Sequence, residues 1–239
     1  GQYSVSVFEV IKILASRFVN VTKTWSNTAE GVVFTLRLPR IIGAVLVGSA
    51  LSLSGAAYQG VFKNPLVAPD LLGVSSGACV GASVAILLHL NSFGVQAMAF
   101  VAGILAVGLT LFIPRLIKNT NMTMLVLSGI IVKGIMDSVM GIIKYVADPE
   151  TELQSITYWQ LGSLTKVLPK DLFTVGPVIV TASVIIFLLR WRINILSLGD
   201  REAKTLGVSV TVVRNFIIIC ATLLTASAVC ISGTIGWIG

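Results

Sequence analysis

The sequence has little charge. Only 11% of its 239 residues are Asp, Glu, Lys or Arg, where soluble domains carry roughly 25%. With 55% hydrophobic residues and a mean hydropathy of +0.95, the chain cannot clothe a water-facing surface. That excludes a soluble globular protein and implies an integral membrane protein. Histidine is almost absent: His89 is the only one, it ends an apolar run, and no second ligand stands in register with it. No metal site is expected. The three cysteines, Cys79, Cys220 and Cys230, lie inside apolar runs and form no C-x-x-C, so they read as small packing residues. There is no G-x-x-x-x-G-K-[ST] to bind a nucleotide phosphate. There is also no nucleophile–base pair or carboxylate pair to support catalysis, so neither an enzyme nor a cofactor is expected. Gly1 to Ser6 are polar and lack an apolar h-region, so no cleavable signal peptide is expected. The net charge of +7 gathers in loops between apolar runs, which argues against nucleic acid as a partner.

Long apolar runs are what the chain does have. A membrane span needs about 20 mostly apolar residues, and six segments qualify: Ile41–Phe62, Leu71–Leu90, Phe93–Pro114, Met122–Tyr145, Leu172–Leu189 and Phe216–Ile238. The expected fold is all-α and polytopic. Upstream, residues 5–19 place Val7, Val10, Ile11, Leu14 and Phe18 at helical spacing, interrupted by Glu9, Lys12 and Arg17. That pattern predicts an amphipathic helix lying in the membrane interface. Loops after the first, third and fifth spans are basic: Lys63; Arg115 and Lys118; Arg190, Arg192, Arg201, Lys204 and Arg214. The positive-inside rule puts these loops in the cytoplasm. Small residues recur every four positions as Ala44, Gly48, Ser52, Ala56 and as Gly73, Gly77, Gly81, Ala85, which predicts close helix packing.

Four groups of residues ask for more than packing. Arg37 and Arg40, three apart beside Pro39, fall at the outer face against the charge rule. They serve either as headgroup anchors or as a docking point for an acidic partner. Lys133 and Asp137 lie near the middle of the fourth span, where a charge costs about 2.5–3.5 kcal/mol. Their i, i+4 spacing allows mutual neutralisation. Lys133, Met136, Asp137, Met140 and Lys144 also share one helical stripe, which fits a water-filled path. Residues 197–208 predict a short cytoplasmic helix, with Asp200 as N-cap, Gly207 just past its end, and Ala203 and Leu206 on an apolar side. It is either an ordinary surface helix or a rigid knob for a cytoplasmic motor. Finally, Ala50–Gly55 aligns with Ala228–Gly233 in the opposite membrane sense, the mark of an inverted repeat.

Taken in order, Leu36–Arg40, Ser54-Gly55 with Gln59-Gly60, Asn64-Pro65-Leu66, Leu72–Ala78, Trp159–Leu164, Leu198–Gly207 and Gly233–Gly239 resemble the permease subunit of ABC importers for iron-siderophores, haem and vitamin B12, the FecCD-type family. The resemblance covers nearly the whole chain. It implies a vitamin B12 importer permease-like bundle, a single transmembrane domain showing six of a family total of ten spans. The family's first span and its last ones fall outside these 239 residues. It implies a multi-pass protein of a bacterial or archaeal cytoplasmic membrane that works with a second permease subunit, cytoplasmic ATPase subunits and an extracytoplasmic binding protein. Arg37 and Arg40 match the arginines that receive the binding protein. Leu198, Gly199, Asp200, Arg201, Glu202, Ala203, Leu206 and Gly207 match the coupling helices that sit on the ATPase. The span holding Lys133, Met136, Asp137 and Met140 matches the helix lining the translocation path. One departure is Thr234, where the family usually has proline after the glycine. The rival expectation is a secondary transporter using Lys133/Asp137 as its ion site.

Overall fold

The computed structural model describes residues 3–20, 22–118 and 121–235. Each predicted apolar segment is helical over most of its described length, and no strand occurs among the described residues. The first helix, α1 (Val7–Ala15), starts at Ser6, whose amide is held by Glu9 at 3.3 Å. Ile13 on its inner face is buried with Trp25, Ala29 and Val33, while Val7, Phe8 and Ile11 are exposed on the other. A single 36-residue helical rod follows, from Asn27 to Phe62. It comprises α2 (Asn27–Gly31), a π-helical stretch (Val32–Arg37) and α3 (Leu38–Phe62).

The π stretch has a local cause. Pro39 has no N–H, and its ring would clash with the carbonyl four residues back in a regular helix. Widening the preceding turn, with the Leu38 amide reaching back to the Val33 carbonyl, absorbs that residue without ending the helix. The span expected from Ile41 therefore belongs to a helix that begins well before it. Arg37 and Arg40 lie within a helix, not ahead of one.

Among the described residues five helices are long and apolar enough to cross a membrane: the rod, α5 (Ser92–Leu116), α6 (Met122–Val146), α8 (Pro169–Leu188) and α11 (Val210–Ser232). The expected second span is different. It breaks into a 3-10 turn (Pro69–Leu72) and the 14-residue α4 (Val74–Leu87). At 1.5 Å per residue α4 is only ~21 Å long, short of a hydrocarbon core of about 30 Å. The far end of the expected sixth span, residues 236–238, lies outside the described residues.

α11 forms the centre, 78% buried along its apolar stretch and packed against α3, α8, α5 and α4. Hydroxyls stitch it to α3: Thr225 donates to Ser54 at 3.1 Å, and Tyr58 and Thr222 share a bond of the same length. Interhelical bonds of this kind contribute around 0.6–2 kcal/mol each in a membrane.

The two small-residue rows part company. The row from Gly73 to Ala85 is buried, and α5 lies directly on it. A Cβ on Gly81 would stand 2.3 Å from the Met98 carbonyl oxygen, and one on Gly77 would stand 2.5 Å from Ala106 Cβ. The Ala44, Gly48, Ser52, Ala56 row instead lies on the outside of α3, which packs through Gly43, Val47, Ala50, Leu51 and Ser54.

The close α4–α5 contact is testable. Gly81→Ala should destabilise the folded chain by about 1–3 kcal/mol, since the obstacle is backbone and cannot rotate away. Gly108→Ala, where nothing lies within 4 Å, should be neutral or slightly stabilising. Thermal unfolding in detergent compares the two; equal losses would refute the close crossing.

Candidate functional site

The chain leaves α3 at Lys63, which adopts a left-handed conformation (φ 51°) and stops the helix. The next five residues are irregular and lead into the 3-10 turn (Pro69–Leu72), and side chains hold much of this backbone. Asn64 Oδ1 accepts from the Leu66 amide at 2.9 Å, and Gln59 donates to the Pro65 carbonyl at 2.9 Å. The Leu72 carbonyl receives the Thr110 hydroxyl at 3.1 Å. Gly73 turns the chain at φ 81°, a conformation that costs glycine little, and α4 begins.

Asp70 sits at the centre of this turn. One carboxylate oxygen accepts the Ser75 amide at the start of α4 at 3.0 Å. The other accepts the Lys133 ammonium of α6 at 2.9 Å. A carboxylate suits a helix N-terminus, where unpaired amides and the helix dipole both favour negative charge. Lys133 is the twelfth of the 25 residues of α6, which places this ion pair ~17 Å along that helix from its start. The irregular segment therefore reaches the depth of the membrane interior.

Non-helical backbone at that depth is stable only inside protein or against a water-filled cavity. Such a cavity, of about 510 Å³, opens there. Asp70 and Ser75 line it from the turn and from α4, and Lys133, Asp137 and Met140 line it from α6. Gln160 of α7 (Glu152–Leu161) and Thr234 close its far end. There the chain crosses itself tightly: Gly162 and Gly233 both have positive φ, and the Ser163 amide donates to the Ser232 carbonyl at 2.6 Å.

The structure brings together three of the five residues expected on the path stripe. Met136 is not among the cavity-lining residues, and neither is Lys144. Of the two readings open for Lys133 and Asp137, a direct i, i+4 ion pair does not form: Lys133 makes its short ion pair with Asp70, and Asp137 acts on it only through its charge. Among the described residues Asp137 has no hydrogen bond and no ion pair within 4 Å. Asp70 was missed in the sequence reading. Its signal was an acid following proline directly ahead of a helix start.

The basic loops converge at one end of the bundle. After α9 (Arg190–Leu198), Gly199 (φ 151°) breaks the chain, and α10 (Asp200–Thr205) follows. Asp200 is thus the first residue of α10, and Gly199 takes the N-cap position expected of Asp200. Gly207 does end the segment, at φ 75°: the amides of Gly207 and Val208 bond back to Lys204 and Ala203, each at 3.0 Å. Ala203 is fully buried, whereas Leu198 (67%) and Leu206 (60%) project outward. Asp200 is half-exposed and accepts from Lys63 at 3.0 Å and from Arg214 at 2.8 Å. At the opposite end, Arg37 donates to the Tyr3 carbonyl at 2.6 Å. Arg40 is half-buried and makes no hydrogen bond or ion pair among the described residues. Arg40 stands 22 residues from Phe62, or ~33 Å along the helix, about one hydrocarbon thickness from the basic end.

The FecCD transport family model matches residues 1–239. The chain belongs to the FecCD transport family. This family member is 35% identical over 240 residues to the molybdate import system permease protein of Haemophilus influenzae, covering all of this chain and 70% of that one. It is 40% identical over 208 residues to an iron chelatin transport system permease protein of Helicobacter pylori, covering 87% of this chain and 63% of that one. A solved structure of a metal-chelate type ABC transporter, in an inward-facing conformation, superposes with a TM-score of 0.85 at 34% identity, covering 98% of this chain and 74% of that one. The FecCD chain is thus an all-helical, multi-pass permease bundle.

The Asp200 anchor makes a pH prediction. Partial burial pushes its carboxyl up, but hydrogen bonds from Arg214 and Lys63, with their charges, outweigh this and hold it below the usual carboxylate range. With the folded value below the unfolded one of about 3.9, the anchor supports α10 at all higher pH and is lost as pH falls through the lowered value. Asp200→Asn should therefore reduce amide-exchange protection of residues 200–206 at pH 7, with the difference from wild type shrinking as pH falls through the lowered Asp200 value. A difference independent of pH would contradict the anchor.

Proposed function

We propose that this chain is the membrane permease of an ATP-driven importer that carries a ferric siderophore or a related chelate, with haem and cobalamin in the same class. The single observation that carries the reading is the cavity at membrane depth, walled by irregular backbone and by Lys133, Asp137 and Met140. A cargo crosses by having this cavity opened first to one side and then to the other. ATP is hydrolysed by a partner ATPase subunit, and a second permease subunit completes the path.

The segment Leu198–Gly207 is the part that meets the ATPase. What supports this is its build: a buried Ala203, an ionic anchor at Asp200, and outward Leu198 and Leu206 flanking exposed Arg201 and Glu202. A rigid knob of this kind transmits motion because it cannot move without Lys63 and Arg214. Arg37 and Arg40, at the other end, receive acidic residues of an extracytoplasmic binding protein. The ion-gradient alternative needs Lys133 and Asp137 as a coupled site; the pairing of Lys133 with Asp70 speaks against it.

Replacing residues 199–206 with a Gly/Ser linker in the full-length protein should abolish co-purification of the ATPase while leaving unfolding of the bundle unchanged. Continued import would sink the ABC reading in favour of the gradient-driven one. Reversing Arg37 and Arg40 to glutamate should weaken binding-protein docking by about tenfold at low salt, and less at high salt, as expected of rim charges. Unchanged affinity at low salt would rule that role out.

A further inference from the structure

The cavity wall has an uneven charge count. Asp70 and Lys133 neutralise each other at 2.9 Å, and Asp137 is left over. The remaining lining residues are uncharged: Leu51, Thr225 and Val229 from α3 and α11, Ser75, Ser76 and Cys79 from α4, and Gln160 from α7. Lys144 lies seven residues beyond Asp137 on α6, ~10 Å further along the helix, and is not part of the lining. A carboxylate lining a water-filled cleft with low-dielectric walls attracts cations and repels anions more strongly than one on an open surface.

We infer that this cavity selects cargo by charge, admitting a chelate with no net negative charge and excluding oxyanions. The inference rests on the permease reading and deepens it. Asp137 is the specificity-determining residue; Asp70 and Lys133 position the turn that faces it. A neutral ferric trihydroxamate, or a monocationic one, fits this wall, with Gln160 and Ser75 offering hydrogen bonds. A tetrahedral dianion such as molybdate meets a wall on which two carboxylates, Asp70 and Asp137, face one ammonium, Lys133.

The test places a cysteine at Ile130, an exposed lining residue on the same face of α6, in full-length protein carrying Cys79→Ala. Methanethiosulfonate reagents bearing a trimethylammonium or a sulfonate group report the local charge through their reaction rates in native membrane vesicles. The cationic reagent should react about tenfold faster than the anionic one after correction for free-thiol rates. Asp137→Asn should bring the ratio close to one, and Asp137→Glu should restore it. Equal rates in the presence of Asp137 overturn the charge inference and leave the permease reading standing. Reaction with neither reagent overturns both, since the cavity is then closed to water. Uptake by cells relying on the full transporter gives the second readout. Labelled ferric trihydroxamate should enter and labelled molybdate should not, and faster molybdate uptake also overturns the inference.

Discussion

The Asp70 carboxylate carries two obligations at once. It closes the N-terminus of α4 through the Ser75 amide, and it neutralises Lys133 in the middle of α6. Neither could be met by an apolar residue. Without the carboxylate, a lysine would stand unpaired at membrane depth and a helix would begin there with unsatisfied amides. The short α4 is possible because its start is held in this way. The irregular segment before it is possible because Gln59, Asn64 and Thr110 take up its backbone groups. The cavity is the space that this segment leaves where a full-length helix would have filled the bundle.

The rest of the structure frames that space with rigid parts. α11 is buried nearly all round and bonded to α3 through Ser54, Tyr58, Thr222 and Thr225. α4 is pressed onto α5 at the Gly77 and Gly81 positions. At the basic end Asp200 ties the α9–α10 segment to α3 through Lys63 and to α11 through Arg214, so the segment touches the same two helices that wall the cavity. Movement of the knob therefore has a short mechanical route to the turn that follows Lys63. That route is seven residues long, from the Lys63 ion pair to the Asp70 ion pair, and both ends are charged.

Much of this was legible in the sequence, and the limits have physical causes. Hydropathy finds the membrane helices because lipid leaves the backbone no alternative to helix. It overestimates the second span because a window average cannot see that Gly73 delays the helix start and that His89, at φ 51°, turns the chain before Leu90. Loop charges grouped Lys63, Arg115 and Arg214 correctly at one end. The charges inside the bundle were harder. Spacing along one helix suggested Lys133 with Asp137, but an i, i+4 pair is weak, about 0.2–0.5 kcal/mol, and a carboxylate already fixed at a helix start outcompetes it. The partner came from 63 residues away, and periodicity carries no information about such contacts. Gly43 and Ala44 show the same limit at finer grain. Both are small neighbours on α3, yet Val167 packs directly on Gly43 and nothing buries Ala44.

The exposed face of α6 sets a final condition. Asp137 is exposed, with Ile130, Ile135 and Ile142 exposed around it on the same helix. Hydrocarbon accepts those isoleucines and rejects the carboxylate, at a cost of about 2.5–3.5 kcal/mol on insertion scales. Lipid therefore does not cover this part of α6; water or a second polypeptide does. The cavity is bounded on its other sides by α3, α11 and the Asp70 turn, so whatever covers Asp137 also closes the cavity. Under the proposed two-subunit assembly, a second α6 facing the first meets both requirements. The isoleucines then pack against protein, and each unpaired Asp137 faces a shared aqueous path, which doubles the negative charge any cargo must pass.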